Sequence, residues 1–134
     1  MYLSNLSNQQ KRLFLSLALL IIKSDGKLES DESQAIIRIT REMDANISVG
    51  EIIRDPETII MGLANGSTQA EKRAILTELH ILCLSNRAED ETESLFLDAV
   101  AQAFNIGERE HSDLKALCRK MIEARDAIDA FVRG

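Results

Sequence analysis

The sequence is poor in residue types that mark several protein classes. It contains no Trp, one Pro and two Cys among 134 residues, and aromatic side chains make up 4% of the chain. Two cysteines give no disulfide framework of the secreted type, so we expect reduced thiols. With few aromatics the core must consist mostly of Leu, Ile, Ala, Val and Met, a composition that favours helices.

Basic clusters and long apolar runs are missing as well. The formal net charge is -6 and Lys and Arg form no run, so nucleic acid is not an expected partner. The longest apolar run, Leu17 to Ile22, is far shorter than the roughly 20 residues that span a bilayer. The N-terminus lacks the basic start of a signal peptide. We therefore expect a soluble, cytoplasmic protein that is not integral to a membrane.

Apolar residues recur at helical spacing almost throughout the chain, and no alternation marks a strand. This pattern predicts an all-α fold, a single-domain helical bundle of about seven helices. Helix starts are indicated by Asp55-Pro56, by Ser112 as cap of the last helix, and by four reciprocal caps: Ser7 with Gln10, Ser48 with Glu51, Thr68 with Glu71, and Asp90 with Glu93. The stripe expected to face inward on the last helix is Leu114, Leu117, Cys118, Met121, Ile128 and Val132. On the helix that follows Thr68 the expected buried face is Ile75, Leu76, Leu79, Leu82 and Cys83. The helix that follows Asp90 is expected to bury Leu95, Phe96, Ala99, Val100 and Phe104 and to end at Asn105-Ile106-Gly107.

The sequence contains a weak internal repeat, which we call the echo. The segment Leu20 to Glu32 returns as Ile81 to Glu93 at a constant offset of 61 residues, each with an apolar helix end, a polar turn and an acidic helix start. The echo predicts two related helical hairpins in one domain. Repeat one would cover about residues 7–44 and repeat two about 67–105, with a middle hairpin at about 48–66 and a C-terminal helix at about 112–132.

The two polar turns supply the candidate binding site. Hard divalent cations prefer several oxygen ligands, and two acidic turns held side by side would provide them for Ca²⁺, Mg²⁺ or Mn²⁺. The competing interpretation is that these carboxylates only cap helices and complement the helix dipole. The turns lack the EF-hand spacing. The candidate metal ligands are Asp25, Glu29, Glu32, Asn86, Asp90 and Glu93.

A second metal hypothesis uses the softer ligands. His80, Cys83, His111 and Cys118 would nominally form a Cys₂His₂ zinc site. Both cysteines lie in apolar stripes, however, where free Cys usually packs as a small core residue. A Cys/His nucleophilic pair would need an orienting group and an oxyanion turn, and neither is evident. A hydrolase that uses paired carboxylates is a further alternative, and it would need an enclosed pocket with perturbed pKa values, which a sequence does not show. Because no catalytic motif is present, we predict a protein without enzymatic activity.

The apolar helix that leads into Asp25-Gly26-Lys27-Leu28, with Glu32 seven residues after Asp25, resembles the signature of the TerB-like tellurite-resistance family. The resemblance implies an all-α bundle with pseudo-two-fold repeats, an acidic site for a divalent metal, and a bacterial cytoplasmic role in stress response. It also implies protein partners, through which the chain would associate peripherally with the inner membrane. In the weaker second copy, Asn86 stands where the family has Asp.

The rival hypothesis is a metal-independent protein-interaction module. The middle hairpin carries more apolar residues than one narrow buried stripe requires, so an exposed patch is predicted there. A homodimer is one assembly that such a patch would form. The patch would consist of Ile52, Ile53, Ile59, Ile60 and Met61.

Overall fold

A computed structural model describes residues 2–22, 41, 55–85 and 91–134. After a short 3-10 helix, Leu3–Asn5, five α-helices follow in these residues: α1 Asn8–Ile22, α2 Pro56–Gly66, α3 Gln69–Ser85, α4 Glu91–Ala103 and α5 Glu108–Arg133. The described ranges contain no strand, and the predicted all-α class is confirmed. Apart from residue 41, the helices predicted between residues 30 and 54 lie outside these ranges. The count of seven and the two-hairpin repeat therefore stay predictions.

Two of the predicted reciprocal caps are present with hydrogen-bonding geometry. The Ser7 N–H donates to Gln10 Oε1 over 2.8 Å, and the Gln10 N–H donates to Ser7 Oγ over 3.1 Å. Thr68 and Glu71 repeat this exchange over 2.8 and 3.1 Å. Each cap pairs two of the orphan N–H groups at a helix start. Like the caps, the first residues of α1 and α3 are 61 positions apart, which equals the offset of the repeated segments in the sequence.

The start of α2 is confirmed in position but lacks a side-chain cap contact with the helix backbone, and the start of α5 differs from the prediction. Asp55 occupies the N-cap of α2 ahead of Pro56, but its carboxylate accepts a hydrogen bond from the Thr58 hydroxyl and none from a backbone N–H of the helix. The last helix begins at Glu108, so the prediction that Ser112 caps it is wrong. A helix start requires extended backbone at the cap, and Gly107 at φ -64° and ψ 157° supplies it without a side chain.

The turn between α4 and α5 ends α4 where the sequence predicts. Asn105 adopts a left-handed φ of 57°, a conformation that Asn tolerates better than most residues. The Ile106 N–H then donates to the Ala101 carbonyl over 2.9 Å, which satisfies one of the last carbonyls of α4. Helix α5 then starts at Glu108, and its Glu110 forms an ion pair with Arg73 on α3.

Helix α3 lies at the centre of the described fold and packs against α1, α4 and α5. Its predicted buried face is confirmed: Ile75, Leu76, Leu79, Leu82 and Cys83 are all buried. Helices α1 and α2 approach closely because Gly62 has no side chain. A Cβ added there would lie 3.1 Å from Leu13 Cδ1.

Long-range polar contacts attach the N-terminal segment to this core. The backbone N–H of Tyr2 donates to Oε1 of the buried Glu78 over 2.9 Å. The Gln10 side-chain amide donates to the Gly66 carbonyl and to Ser67 Oγ at the end of α2. The cap of α1 therefore also fixes the end of the neighbouring helix.

Two predicted faces are wrong in part. On α4 the sequence placed Leu95 and Ala99 inward, yet Leu95 is 63% exposed and Ala99 is exposed, while Leu97 is fully buried. Val100 and Phe104 are buried as predicted. On α5 three residues of the expected inward stripe are largely exposed: Leu117, Ile128 and Val132. Among the described helices, none combines the length and apolar character needed to cross a membrane.

Candidate functional site

Most of the acidic ligand set falls beyond what the structure describes. Glu93 lies in the first turn of α4, with its side chain half-buried and its Oε2 atom buried. Whether the two acidic turns face each other therefore stays a prediction. The other predicted ligands lie outside the described residues: Asp25, Glu29, Glu32, Asn86 and Asp90.

The residues of the zinc alternative are all described, and they do not gather into one site. No group of three or more metal-ligating side chains occurs in residues 2–22, 41, 55–85 and 91–134. Cys83 and Cys118 are buried cysteines that are not joined in a disulfide. The two histidines, in contrast, meet directly.

His80 and His111 form a buried pair between α3 and α5. Their Nε2 atoms are 2.7 Å apart, and the ring centroids are 4.9 Å apart at an interplanar angle of 57°. His80 is 1% exposed and His111 is 5% exposed. A hydrogen bond between two Nε2 atoms requires one to carry a proton and the other to accept it. Two doubly protonated rings would place two N–H groups against each other, so the pair is stable only when at least one ring is neutral.

Asp98 and Lys115 form an ion pair next to this contact, on the side toward the surface. Asp98 Oδ1 lies 3.4 Å from His111 Nδ1 and 3.0 Å from Lys115 Nζ. The arrangement favours the tautomer in which His111 keeps its proton on Nδ1, facing the carboxylate, and accepts from His80 at Nε2. The network therefore joins α3, α4 and α5 through one chain of polar contacts.

Burial controls the protonation of both rings. Desolvation, together with the smaller effects of the His111 and Lys115 charges, lowers the pKa of His80 to about 4, and Asp98 opposes this shift. Desolvation also lowers the pKa of His111, with the same opposition between Lys115 and Asp98. Both rings are thus neutral at pH 7.

A small cleft of about 260 Å³ lies beside the charged end of this network. Asp98, His111 and Lys115 line it, together with Glu108 and Ser112. His111 presents no uncommitted nitrogen to the cleft, because Nε2 contacts His80 and Nδ1 faces Asp98. A general base needs a nitrogen within reach of a substrate proton. The described geometry therefore suits a structural role for the histidines.

A larger groove of about 580 Å³ separates α3 from α5. On the α3 side the lining includes Ala70 and Ala74, whose small side chains sit one turn apart and leave room above the helix. The α5 side contributes Leu114, Leu117 and Met121. The groove is therefore apolar along its floor and along one wall.

The rim of the groove is polar. Arg73 on α3 and Glu110 on α5 form an exposed ion pair over 2.9 Å. The thiol of Cys118 also lines the groove, and burial together with the nearby Glu78 carboxylate raises its pKa. At neutral pH this thiol is protonated, which is the unreactive form.

Helix α5 extends well past the groove. Its 26 residues span about 39 Å at 1.5 Å per residue. All residues from 123 to 134 are exposed. Ile128 is 63% exposed and Phe131 is 86% exposed, and both continue the spacing of Leu114, Leu117 and Met121 along one face. We call residues 122–134 the projecting end of α5.

Sequence reasoning missed both the histidine pair and the groove. His80 and His111 are 31 residues apart, and no local spacing indicates that they meet. The groove did leave a signal, because Ala70 and Ala74 form a small-residue stripe opposite an amphipathic helix that is unusually long. Comparisons of the chain with protein-family models, curated proteins and solved structures found no match. The TerB-like resemblance stays a prediction from the residues quoted above.

Proposed function

We propose that this chain is a non-enzymatic protein-interaction module that accepts an amphipathic helix in the groove between α3 and α5. The observation that carries the proposal is the apolar α5 wall, which remains open to solvent. Leu117 on that wall is 62% exposed although it belongs to a continuous apolar stripe. Exposed contiguous apolar surface of this kind marks interaction sites on small proteins.

The shape of the groove supports a helical ligand. Small side chains at Ala70 and Ala74 allow a second helix to approach α3 closely, while Leu114, Leu117 and Met121 form a ridge beside it. Helices that bind in grooves use apolar side chains at intervals of three and four residues, which match such ridges. Burying one Leu or Ile side chain contributes roughly 1.5–3 kcal/mol.

The polar rim supports the same function. Interfaces combine an apolar centre with a polar, solvated edge. Here the exposed ion pair of Arg73 and Glu110 borders the apolar lining. A ligand helix with charged flanks would keep these groups hydrated while its apolar face covers the groove.

The interaction surface differs from the one that the sequence indicated. Ile59, a member of the predicted middle-hairpin patch, is fully buried, and Ile60 is partly buried. Met61 is 48% exposed, and Ile52 and Ile53 lie outside the described residues. The proposal therefore keeps the hypothesis of apolar recognition but moves its surface to α3 and α5.

A designed amphipathic helix of about three heptads, with Leu at the apolar positions, tests the function. Fluorescence anisotropy of the labelled helix should show saturable binding to the protein, and a scrambled helix should not bind. Leu117→Glu should weaken binding at least about tenfold, because it places a carboxylate in the apolar wall. Leu95→Glu is the matched control, since Leu95 is 63% exposed but lies outside the groove lining. Equal affinity of both variants would refute the proposal.

Cation binding through the acidic turns is a separate proposal that rests on the sequence. Its support is the spacing of Asp25 and Glu32 and the TerB-like resemblance. Under this proposal a divalent cation would be bound or sensed by the two helix-start turns as part of a stress response. It is compatible with the helix-binding groove because Glu93, the described member of the ligand set, does not line that groove.

A further inference from the structure

We infer that the helix accepted by the groove is the projecting end of α5 from a second copy of this chain, so that two copies form a symmetric antiparallel pair. The inference rests on the proposed function and names its partner. Three observations carry it: the continuity of the apolar stripe, the reciprocity of groove and projecting end, and the distribution of charge along α5.

The apolar stripe follows a heptad rhythm across the whole of α5. Leu114, Met121 and Ile128 are spaced by seven residues, and so are Leu117, Ala124 and Phe131. These two series are the a and d positions of a helix that packs against another helix. The first half of the stripe lines the groove, and the second half is exposed beyond it. Helix α5 thus carries both one wall of the groove and, in its projecting end, an apolar face that fits such a groove.

An antiparallel arrangement satisfies both halves at once. If two copies of α5 cross between residues 121 and 124, Leu117 of one copy faces Ile128 of the other, and Leu114 faces Phe131. Each projecting end then lies in the groove of the opposite copy. Every contact occurs twice, which is the property of an interface with two-fold symmetry. The pairing closes on itself and leaves no groove unfilled.

Charge along α5 favours this direction. Residues 114–121 carry three cations, Lys115, Arg119 and Lys120, and no anion. Residues 122–134 carry three anions and two cations, the anions being Glu123, Asp126 and Asp129. An antiparallel pair places the basic half beside the half with net negative charge. A parallel pair would place the three cations of one copy beside those of the other.

A charge-complementation experiment tests the pairing in the full chain. Light scattering of the wild type should give twice the chain mass of 15.0 kDa. Leu117→Glu and Ile128→Lys should each give the monomer mass, because each variant places two charges in the symmetric apolar interface. An equimolar mixture of the two variants should recover the double mass, since Glu at 117 then faces Lys at 128 and the opposite Leu–Ile contact stays intact. Leu95→Glu should keep the double mass.

Monomeric wild type at all concentrations would overturn the inference, and so would a mixture that stays monomeric, because a parallel pair offers no such rescue. Binding of the designed helix to the Ile128→Lys variant, whose groove is intact, tests the proposed function independently of the pairing of two copies. If that helix binds while the wild type is monomeric, the groove has a partner other than a second copy. If the helix does not bind either, both proposals are wrong.

Discussion

His80 and His111 share a single hydrogen bond, 2.7 Å between their Nε2 atoms, in the contact between α3 and α5. Buried polar groups destabilise a fold unless they are paired, and here each ring satisfies the other. Because His111 also faces Asp98, the pair connects the apolar interior with a surface ion pair. Protonation of the pair is therefore coupled to the packing of the helix that forms the groove wall.

The pair makes stability depend on pH. In the folded chain the pKa of His80 is about 4 and that of His111 is lowered, whereas an unfolded His titrates near 6.5. Between these values the unfolded chain binds protons that the folded chain does not, so the free energy of unfolding falls as pH decreases from about 6.5 to about 4. The slope should reach at most about 1.4 kcal/mol per pH unit for each histidine. Urea denaturation across this range measures it.

The control for the pH dependence is the double variant His80→Leu/His111→Leu, which removes both titrating rings. Its stability should be nearly flat between pH 6.5 and pH 5, above the range in which most carboxylates titrate. An unchanged slope in the double variant would show that other groups cause the dependence.

Replacing one histidine and replacing both should change the free energy of unfolding by amounts that do not add. His80→Leu leaves the Nε2 atom of His111 buried without its partner, which costs about 1–3 kcal/mol at pH 7. Replacing both rings with Leu removes the unpaired group and restores apolar packing. The double variant should therefore lose less stability than the two single variants predict by addition. Additive losses in a double-mutant cycle would mean that the rings are energetically independent.

The reciprocal cap of α3 should contribute measurable stability. Thr68→Ala removes the hydroxyl that accepts from the Glu71 N–H, and the expected cost is about 1 kcal/mol. Ser112→Ala is the matched control, because Ser112 is exposed inside α5 and caps nothing. It should change stability by less than about 0.5 kcal/mol. Equal effects in thermal denaturation would contradict the assignment of the caps.

The cation hypothesis has its own test. Calorimetric titration with Ca²⁺, Mg²⁺ and Mn²⁺ should give binding heat for the wild type, since these cations prefer carboxylate and amide oxygens. Asp25→Ala/Glu32→Ala should abolish the heat, and Glu93→Ala should reduce it if the second turn takes part. Asp113→Ala on the exposed surface of α5 serves as the control. Identical heats for wild type and double variant would remove the hypothesis.

Local signals predicted the described helices well. The caps at Ser7 and Thr68 depend on contacts within three residues, so their spacing in the sequence contains the whole interaction. The left-handed turn at Asn105 is likewise set by the residue itself and its neighbours. The Gly107 start of α5 was missed because a cap without a side chain leaves no pattern to detect.

Contacts between helices could not be predicted from the spacing of residues in the sequence. Periodicity shows that α5 has an apolar face, but it does not show whether that face is covered by the same chain, and Leu117 and Ile128 are exposed instead. The His80–His111 contact depends on how α3 and α5 approach each other in space. The groove depends on Ala70 and Ala74 lying opposite a ridge of larger residues.

The projecting end of α5 has no core of its own to hold it in shape. Helical segments of about a dozen residues are marginal in water without packing partners. Residues 122–134 should thus exchange their amide hydrogens fastest in a dilute solution of the chain and slow down once the groove of another molecule receives them. In this part of the protein, formation of the helix is coupled to binding of the partner, while the amides of the central helices stay protected from exchange throughout.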